Sequence, residues 1–138
     1  VMFAVPASCL RAAELFEEAD FGSIGTNDLI QYLFAVDRNN ARVAADFRPT
    51  RAALWDVLHG VVAAARAAGK PLSLCGEVGA NPDLVPRLLN AGIETISVST
   101  RSIPAVRTAV QVALRERAAT PPQTNGAGAP RQQKETPS

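Results

Sequence analysis

The chain has 138 residues, 47% of them hydrophobic and 20% charged, which is enough apolar material for one core of ordinary size and too much for a chain disordered throughout. Its net charge of +1, with the basic residues scattered along the sequence, supplies no field that would gather nucleic acid or an anionic membrane surface. No apolar run approaches the roughly 20 residues of a membrane-spanning helix, and Val1-Met-Phe-Ala-Val-Pro6 lacks the basic flank and length of a secretory signal, so the expectation is a soluble cytoplasmic protein.

Residues 1–5 read as a short apolar strand that Pro6 interrupts, and residues 8–18 as a helix with Leu10, Ala13 and Phe16 inward. Residues 20–25 form a second strand. Asn27 then caps a helix in which Leu29, Tyr32, Leu33 and Val36 share one side, ending near Asp37 and Arg38. After a polar connection, Thr50 caps the best amphipathic helix of the chain, with Leu54, Val57, Leu58, Val61, Val62 and Ala65 on one face and Gly69 and Pro71 as its stop. The third strand is 71–75. Asn81 and Pro82 supply the cap and first-turn proline of a helix that runs to Asn90 and closes at Gly92. Residues 93–99 alternate as a fourth strand, and residues 102–117 form a last helix with Ile103, Val106, Val110 and Leu114 inward. The remainder, 118–138, holds four prolines and two glycines among polar residues and reads as a disordered tail beside a single domain over 1–117.

Strands alternating with helices mean parallel strands joined by right-handed crossovers, hence an α/β fold. A complete eight-stranded barrel takes about 250 residues, so four strand-helix units amount to half of one. A half-barrel leaves two open strand edges, which invite association. The expectation is an oligomer or a piece of a longer polypeptide, the latter because Val1 begins inside a strand.

Two segments carry the chemistry. Ser23-Ile-Gly-Thr-Asn-Asp-Leu-Ile-Gln-Tyr-Leu-Phe-Ala-Val-Asp-Arg-Asn-Asn40 delivers an amide and a carboxylate, Asn27 and Asp28, at a strand's carboxyl edge, where parallel α/β folds build their sites. Leu74-Cys-Gly-Glu77 delivers a thiol at the corresponding place on the next strand. Taken singly, these residues have plainer readings. Asn27 and Asp28 could cap a helix, and Arg38 could neutralise a helix carboxyl end. With only two cysteines, Cys9 and Cys75, neither a disulfide framework nor a cysteine metal site gains support, and Cys9 reads as a packed thiol. His59, the one histidine, lies within the predicted helix and reads as a surface residue.

Over roughly residues 1–110, and most closely at these motifs, the chain resembles the carboxyl-terminal domain of the phosphoenolpyruvate-protein phosphotransferase family, enzyme I of the bacterial sugar phosphotransferase system. Capping alone would not demand Gln31, Tyr32 and Asp37-Arg38 at fixed offsets. The resemblance implies a (β/α)8 barrel, of which this chain is the second half. It also implies phosphoenolpyruvate and Mg2+ as ligands, a homodimer, and phosphoryl transfer to a histidine on a separate domain, absent here, that serves a phosphocarrier protein. By the same resemblance Asp28 is a Mg2+ ligand, Asn27 binds substrate and Arg38 holds the phosphate through its guanidinium fork. Cys75 then gives a proton to the enolate carbon, and Glu77 supports that loop. One departure stands out: where the family's first strand ends in a metal-binding glutamate before Ile-Pro or Val-Pro, this chain has Ala4 in Phe3-Ala-Val-Pro6. Three readings follow: a phosphotransferase portion, a degenerate binding or regulatory relative, or another phosphoenolpyruvate user such as pyruvate phosphate dikinase or phosphoenolpyruvate synthase. Ala35-Val-Asp-Arg-Asn-Asn40 speaks against the last, and Asn39-Asn-Ala-Arg-Val-Ala44 leans toward the nitrogen-related paralogue.

Overall fold

Four short segments with a bulky residue at alternate positions assemble a parallel sheet. A computed structural model describes residues 1–37, 40, 42 and 48–119. Strands β1 (Met2–Phe3), β2 (Gly22–Gly25), β3 (Leu72–Cys75) and β4 (Thr95–Ser97) lie side by side in chain order. All three pairings are parallel. Chain-order parallel strands joined by crossovers of one hand place every helix on the same face, which is the winding of a barrel rather than of a doubly wound sheet. The predicted α/β half-barrel is therefore the observed architecture.

Register sorts the strand residues into two sets. Phe3, Ile24, Leu74 and Ile96 are cross-strand partners in succession and face the helices. The first three have no exposed surface, and they join Phe16, Leu54, Leu58, Val61 and Leu88 from the helices in one core. Met2, Ser23, Ser73 and Thr95 form the neighbouring row on the open face, followed by Gly25, Cys75 and Ser97 at the carboxyl ends.

Several expected details shift. The first helix is two, α1 (Pro6–Leu10) and α2 (Ala12–Glu18), broken at Arg11, whose φ of −106° and ψ of 22° leave the helical region. Pro6 opens α1, where its missing N–H costs nothing, and the Val5 carbonyl accepts from the amides of Ser8 and Cys9. The break turns Cys9, Ala12 and Phe16 inward, so Leu10, 81% exposed, and Ala13 face out, contrary to expectation.

Helix α3 (Thr26–Phe34) starts a residue before Asn27, which does not cap it, and it ends short of Asp37. Ala35 adopts the left-handed conformation at φ 53°, and Val36 N donates back to the Gln31 carbonyl at 3.0 Å, a helix stop that buries Val36. Leu29 and Ile30 point inward while Tyr32 is 60% exposed, correcting its assigned side.

Helix α4 (Ala52–Ala68) is entered through extended Arg51 without a side-chain cap, so Thr50 does not perform that role. The expected apolar face is present and adds Trp55, whose indole N–H donates to the Pro49 carbonyl at 2.8 Å and whose ring lies 4.0 Å beneath the Arg87 guanidinium. Gly69 ends α4 at φ 64°.

The single helix expected after Asn81 divides into a 3-10 turn, Pro82–Leu84, and α6 (Val85–Ala91), preceded by α5 (Glu77–Ala80). Asn81 caps the turn as expected, its Oδ1 accepting from Asp83 N at 3.0 Å. Helix α7 (Ile103–Ala119) buries Val106 and Ala113, whereas Ile103 and Leu114 are 39% and 50% exposed. Its packing is mainly against α6. The expected tail lies, from residue 120 on, outside the described residues.

Candidate functional site

Strands β2 and β3 end side by side, with Gly25 and Cys75 as register partners. Each then turns directly into a helix, α3 from Thr26 and α5 from Glu77. Polar side chains just beyond parallel strand ends therefore converge here. Met2, Gly25, Thr26, Asn27, Asp28, Cys75 and Gly76 line an open pocket of about 300 Å³. Three of the four predicted site residues, Asn27, Asp28 and Cys75, thus share one pocket. The fourth, Arg38, lies outside the described residues.

The two loops are joined by two hydrogen bonds. Thr26 Oγ1 donates to the Cys75 carbonyl at 2.8 Å, and Glu77 N donates to Asn27 Oδ1 at 2.9 Å. A backbone amide can only donate, so the second bond fixes which way the Asn27 amide points. Its Oδ1 is committed to the protein, and Nδ2 is the group left to meet a ligand. Asn27 is accordingly a donor in this site. Glu77 supports the loop through its backbone amide.

Between these bonds sits Gly76, at φ 101° and ψ −174°, a conformation that side-chain-bearing residues rarely adopt. A Cβ there would collide with Thr26 Oγ1 and lie 2.8 Å from Asn27 Oδ1. Glycine is required on both counts.

The Cys75 thiol is half-buried. It donates to the Ile24 carbonyl at 3.5 Å and can accept from Ser23 Oγ at 3.9 Å, both long contacts that leave it free to engage a ligand. Cys9, by contrast, is buried on α1, and burial pushes its thiol above the ordinary value of 9.0, partly offset by the Ser8 side chain. Cys9 is the packed thiol expected. His59 is exposed on α4, as anticipated.

Asp28 is exposed at the pocket and makes no hydrogen bond or ion pair with the described residues. A carboxylate so placed suits a hard cation. Mg2+ is commonly held by one or two carboxylates together with phosphate oxygens of a substrate and retained waters, and Asp28 provides one such carboxylate. Among the described residues no three His, Cys, Asp or Glu side chains converge on a metal position. The donor set therefore fits a cation that arrives with phosphate oxygens, and does not make a self-sufficient metal cage. Ala4 lies beside this pocket, its methyl 3.3 Å from where a Cβ on Gly25 would stand.

Sequence reasoning passed over Thr26 and Gly76 as individual contributors. Thr26 is the one fully buried polar side chain among the described residues, a β-branched hydroxyl at a strand-helix junction. Its partner stands 49 positions away, so no local pattern could have disclosed it.

The profile described as "PEP-utilising enzyme, PEP-binding domain" matches residues 1–115. The chain is 41% identical over 107 residues to the multiphosphoryl transfer protein of Escherichia coli O6:H1, covering 78% of this chain and 13% of that protein. It is 40% identical over 119 residues to the phosphoenolpyruvate-protein phosphotransferase of Geobacillus stearothermophilus, covering 86% and 21%. With the Streptococcus equinus phosphoenolpyruvate-protein phosphotransferase the identity is 39% over 103 residues, covering 75% and 18%. The chain thus spans about one fifth or less of the length of these relatives. No helix among the described residues is long and apolar enough to cross a membrane.

Proposed function

The chain belongs to the family of PEP-utilising enzymes, as their PEP-binding domain, and from that premise we propose that it binds phosphoenolpyruvate as part of a phosphoenolpyruvate-protein phosphotransferase. The observation that carries this reading is the convergence of Asn27, Asp28 and Cys75 on one pocket at the paired ends of β2 and β3. An amide donor, a carboxylate and a thiol within one small pocket match a ligand that has an anionic head and a carbon to be protonated.

In this reading the Asn27 Nδ2 group donates to a phosphate or carboxylate oxygen of phosphoenolpyruvate, and Arg38 grips the phosphate. The phosphorus-oxygen bond breaks as a phosphorus-nitrogen bond forms to a histidine on another domain, and its electron pair stays on the oxygen, leaving the enolate of pyruvate in the pocket. Cys75 donates its S–H proton to the methylene carbon, giving pyruvate and a thiolate that solvent reprotonates. Bound Mg2+, held by Asp28, would neutralise charge on the phosphate oxygens. Positioning and charge stabilisation supply most of the rate in such transfers, which is why rigid strand ends suit the task. The phosphohistidine then serves a phosphocarrier protein in the cytoplasm. The outer edges of β1 and β4 have no partner strand among the described residues, which supports assembly with further barrel strands and a homodimeric enzyme.

Ala4 favours a second reading, a binding or regulatory module that keeps the fold without metal chemistry. Titration calorimetry of phosphoenolpyruvate with Mg2+ into the protein, with Asp28→Asn as control, separates the two. Binding that Asp28→Asn weakens by at least tenfold supports the phosphotransferase site. Mg2+-independent binding, equal in the variant, supports the regulatory module, and no binding by folded protein removes both.

A further inference from the structure

We infer that Thr26 is a positioning residue that sets the Cys75 thiol against the Asn27 amide; this deepens the phosphoenolpyruvate reading above and rests on it for the identity of the ligand. Thr26 has no exposed surface, and its hydroxyl is spent on one bond, to the carbonyl of Cys75 at 2.8 Å. That carbonyl belongs to the peptide joining Cys75 to Gly76. The peptide is held on its Cys75 side by Thr26 and, one residue further on, by the bond from Glu77 N to Asn27 Oδ1.

Thr26 and Asn27 are consecutive, as are Cys75, Gly76 and Glu77. The two bonds therefore form a double clamp between loops that belong to different strand-helix units. Gly76 has the freedom to swing the peptide elsewhere, because glycine populates many backbone conformations at little cost. The clamp removes that freedom. With Thr26 Oγ1 gone, the Cys75–Gly76 peptide loses its fixed orientation, Glu77 N leaves Asn27 Oδ1, and the Asn27 amide is free to rotate. Both ligand-facing groups then lose their relative geometry without either having been mutated. A displacement of about 1 Å in such a site is enough to cost on the order of a hundredfold in rate.

A merely structural threonine would satisfy a buried carbonyl and do nothing more. The distinction is experimental. Thr26→Val keeps the shape and removes the hydroxyl, Thr26→Ala removes it without crowding, and Thr26→Ser keeps it. Iodoacetamide alkylation of Cys75, followed by peptide mass spectrometry so that Cys9 is scored separately, reads the thiol's placement without any ligand. Calorimetry with phosphoenolpyruvate and Mg2+ reads the ligand side. Melting curves identify the temperatures at which each variant is folded.

We expect the alkylation rate to change at least threefold and phosphoenolpyruvate affinity to fall at least threefold in Thr26→Val and Thr26→Ala. Thr26→Ser should return both to within twofold of the parent. Folded Thr26→Val or Thr26→Ala protein with parental alkylation overturns the inference, as does loss of folding in both, which would make Thr26 a stability residue. Should the parent itself fail to bind phosphoenolpyruvate, the functional reading falls while the alkylation result still decides the role of Thr26.

Discussion

The two faces of the four-stranded sheet are built from alternate residues of the same strands and are opposite in character. Toward the helices stand Phe3, Ile24, Leu74 and Ile96; on the open face stand Met2, Ser23, Ser73 and Thr95, then Gly25, Cys75 and Ser97. Strand side chains alternate with a period of two, so stability and chemistry are separated by a single step along the chain. Leu74 has no exposed surface, and its neighbour Cys75 opens on the pocket. Barrel interiors are usually filled by bulky branched residues. The small hydroxyl, thiol and glycine positions here leave room instead, and the site occupies that room at the carboxyl ends of the two central strands.

A difference of this kind can be broken by mutating adjacent residues. Cys75→Ala should lower pyruvate formation by roughly 100-fold or more, within the range general acids contribute, when assayed in a polypeptide that also carries the phosphoaccepting histidine. Its melting temperature should scarcely move, because the thiol's hydrogen bonds to the described residues are long, at 3.5 and 3.9 Å. Unchanged turnover would remove Cys75 from the mechanism. Leu74→Ala should do the reverse, costing about 2–5 kcal/mol in chemical denaturation, the usual loss for a buried leucine. If Cys75→Ala destabilises the protein as much as Leu74→Ala, the separation of faces is wrong.

A smaller effect sharpens the comparison at the pocket's rim. Ala4 follows Phe3 and falls on the open face beside Gly25. Ala4→Glu should add a second carboxylate to Asp28 and tighten Mg2+ binding in the presence of phosphoenolpyruvate by on the order of tenfold. An unchanged metal isotherm would show that position 4 does not face the cation.

The order of strands and helices was legible in the sequence because it rests on local signals: the apolar stripe of α4, the left-handed glycines Gly69 and Gly92, and the cap at Asn81. What was not legible depended on contacts between distant segments. Leu10 and Tyr32 carry the right hydrophobicity for inward positions, but the core is met by Cys9, Ala12 and Phe16 on one segment and by Leu29 and Ile30 on the other, which leaves both exposed. Asn27 has the chemistry of a helix cap, yet its Oδ1 is taken by an amide 50 positions away. The candidate site was legible as a set of residue types at strand ends. Its double clamp was not, since neither Thr26 nor Gly76 carries a reactive group that a motif would single out.

The two cysteines provide the finest test, because they place the same side chain in the two environments. Burial holds the Cys9 thiol above its ordinary value of 9.0 in the folded protein, so the unfolded chain gives up this proton at lower pH than the folded one. The resulting stability is fully present below the unfolded value and is lost as pH rises through the folded one. As pH rises through the ordinary thiol value of 9.0 and beyond, Cys9→Ala should therefore lose less stability than the parent, as read by urea denaturation at each pH. Parallel curves for parent and variant would show that the helix-side packing around α1 places no penalty on the Cys9 thiolate, and that the contrast between the two thiols lies only in their access to solvent.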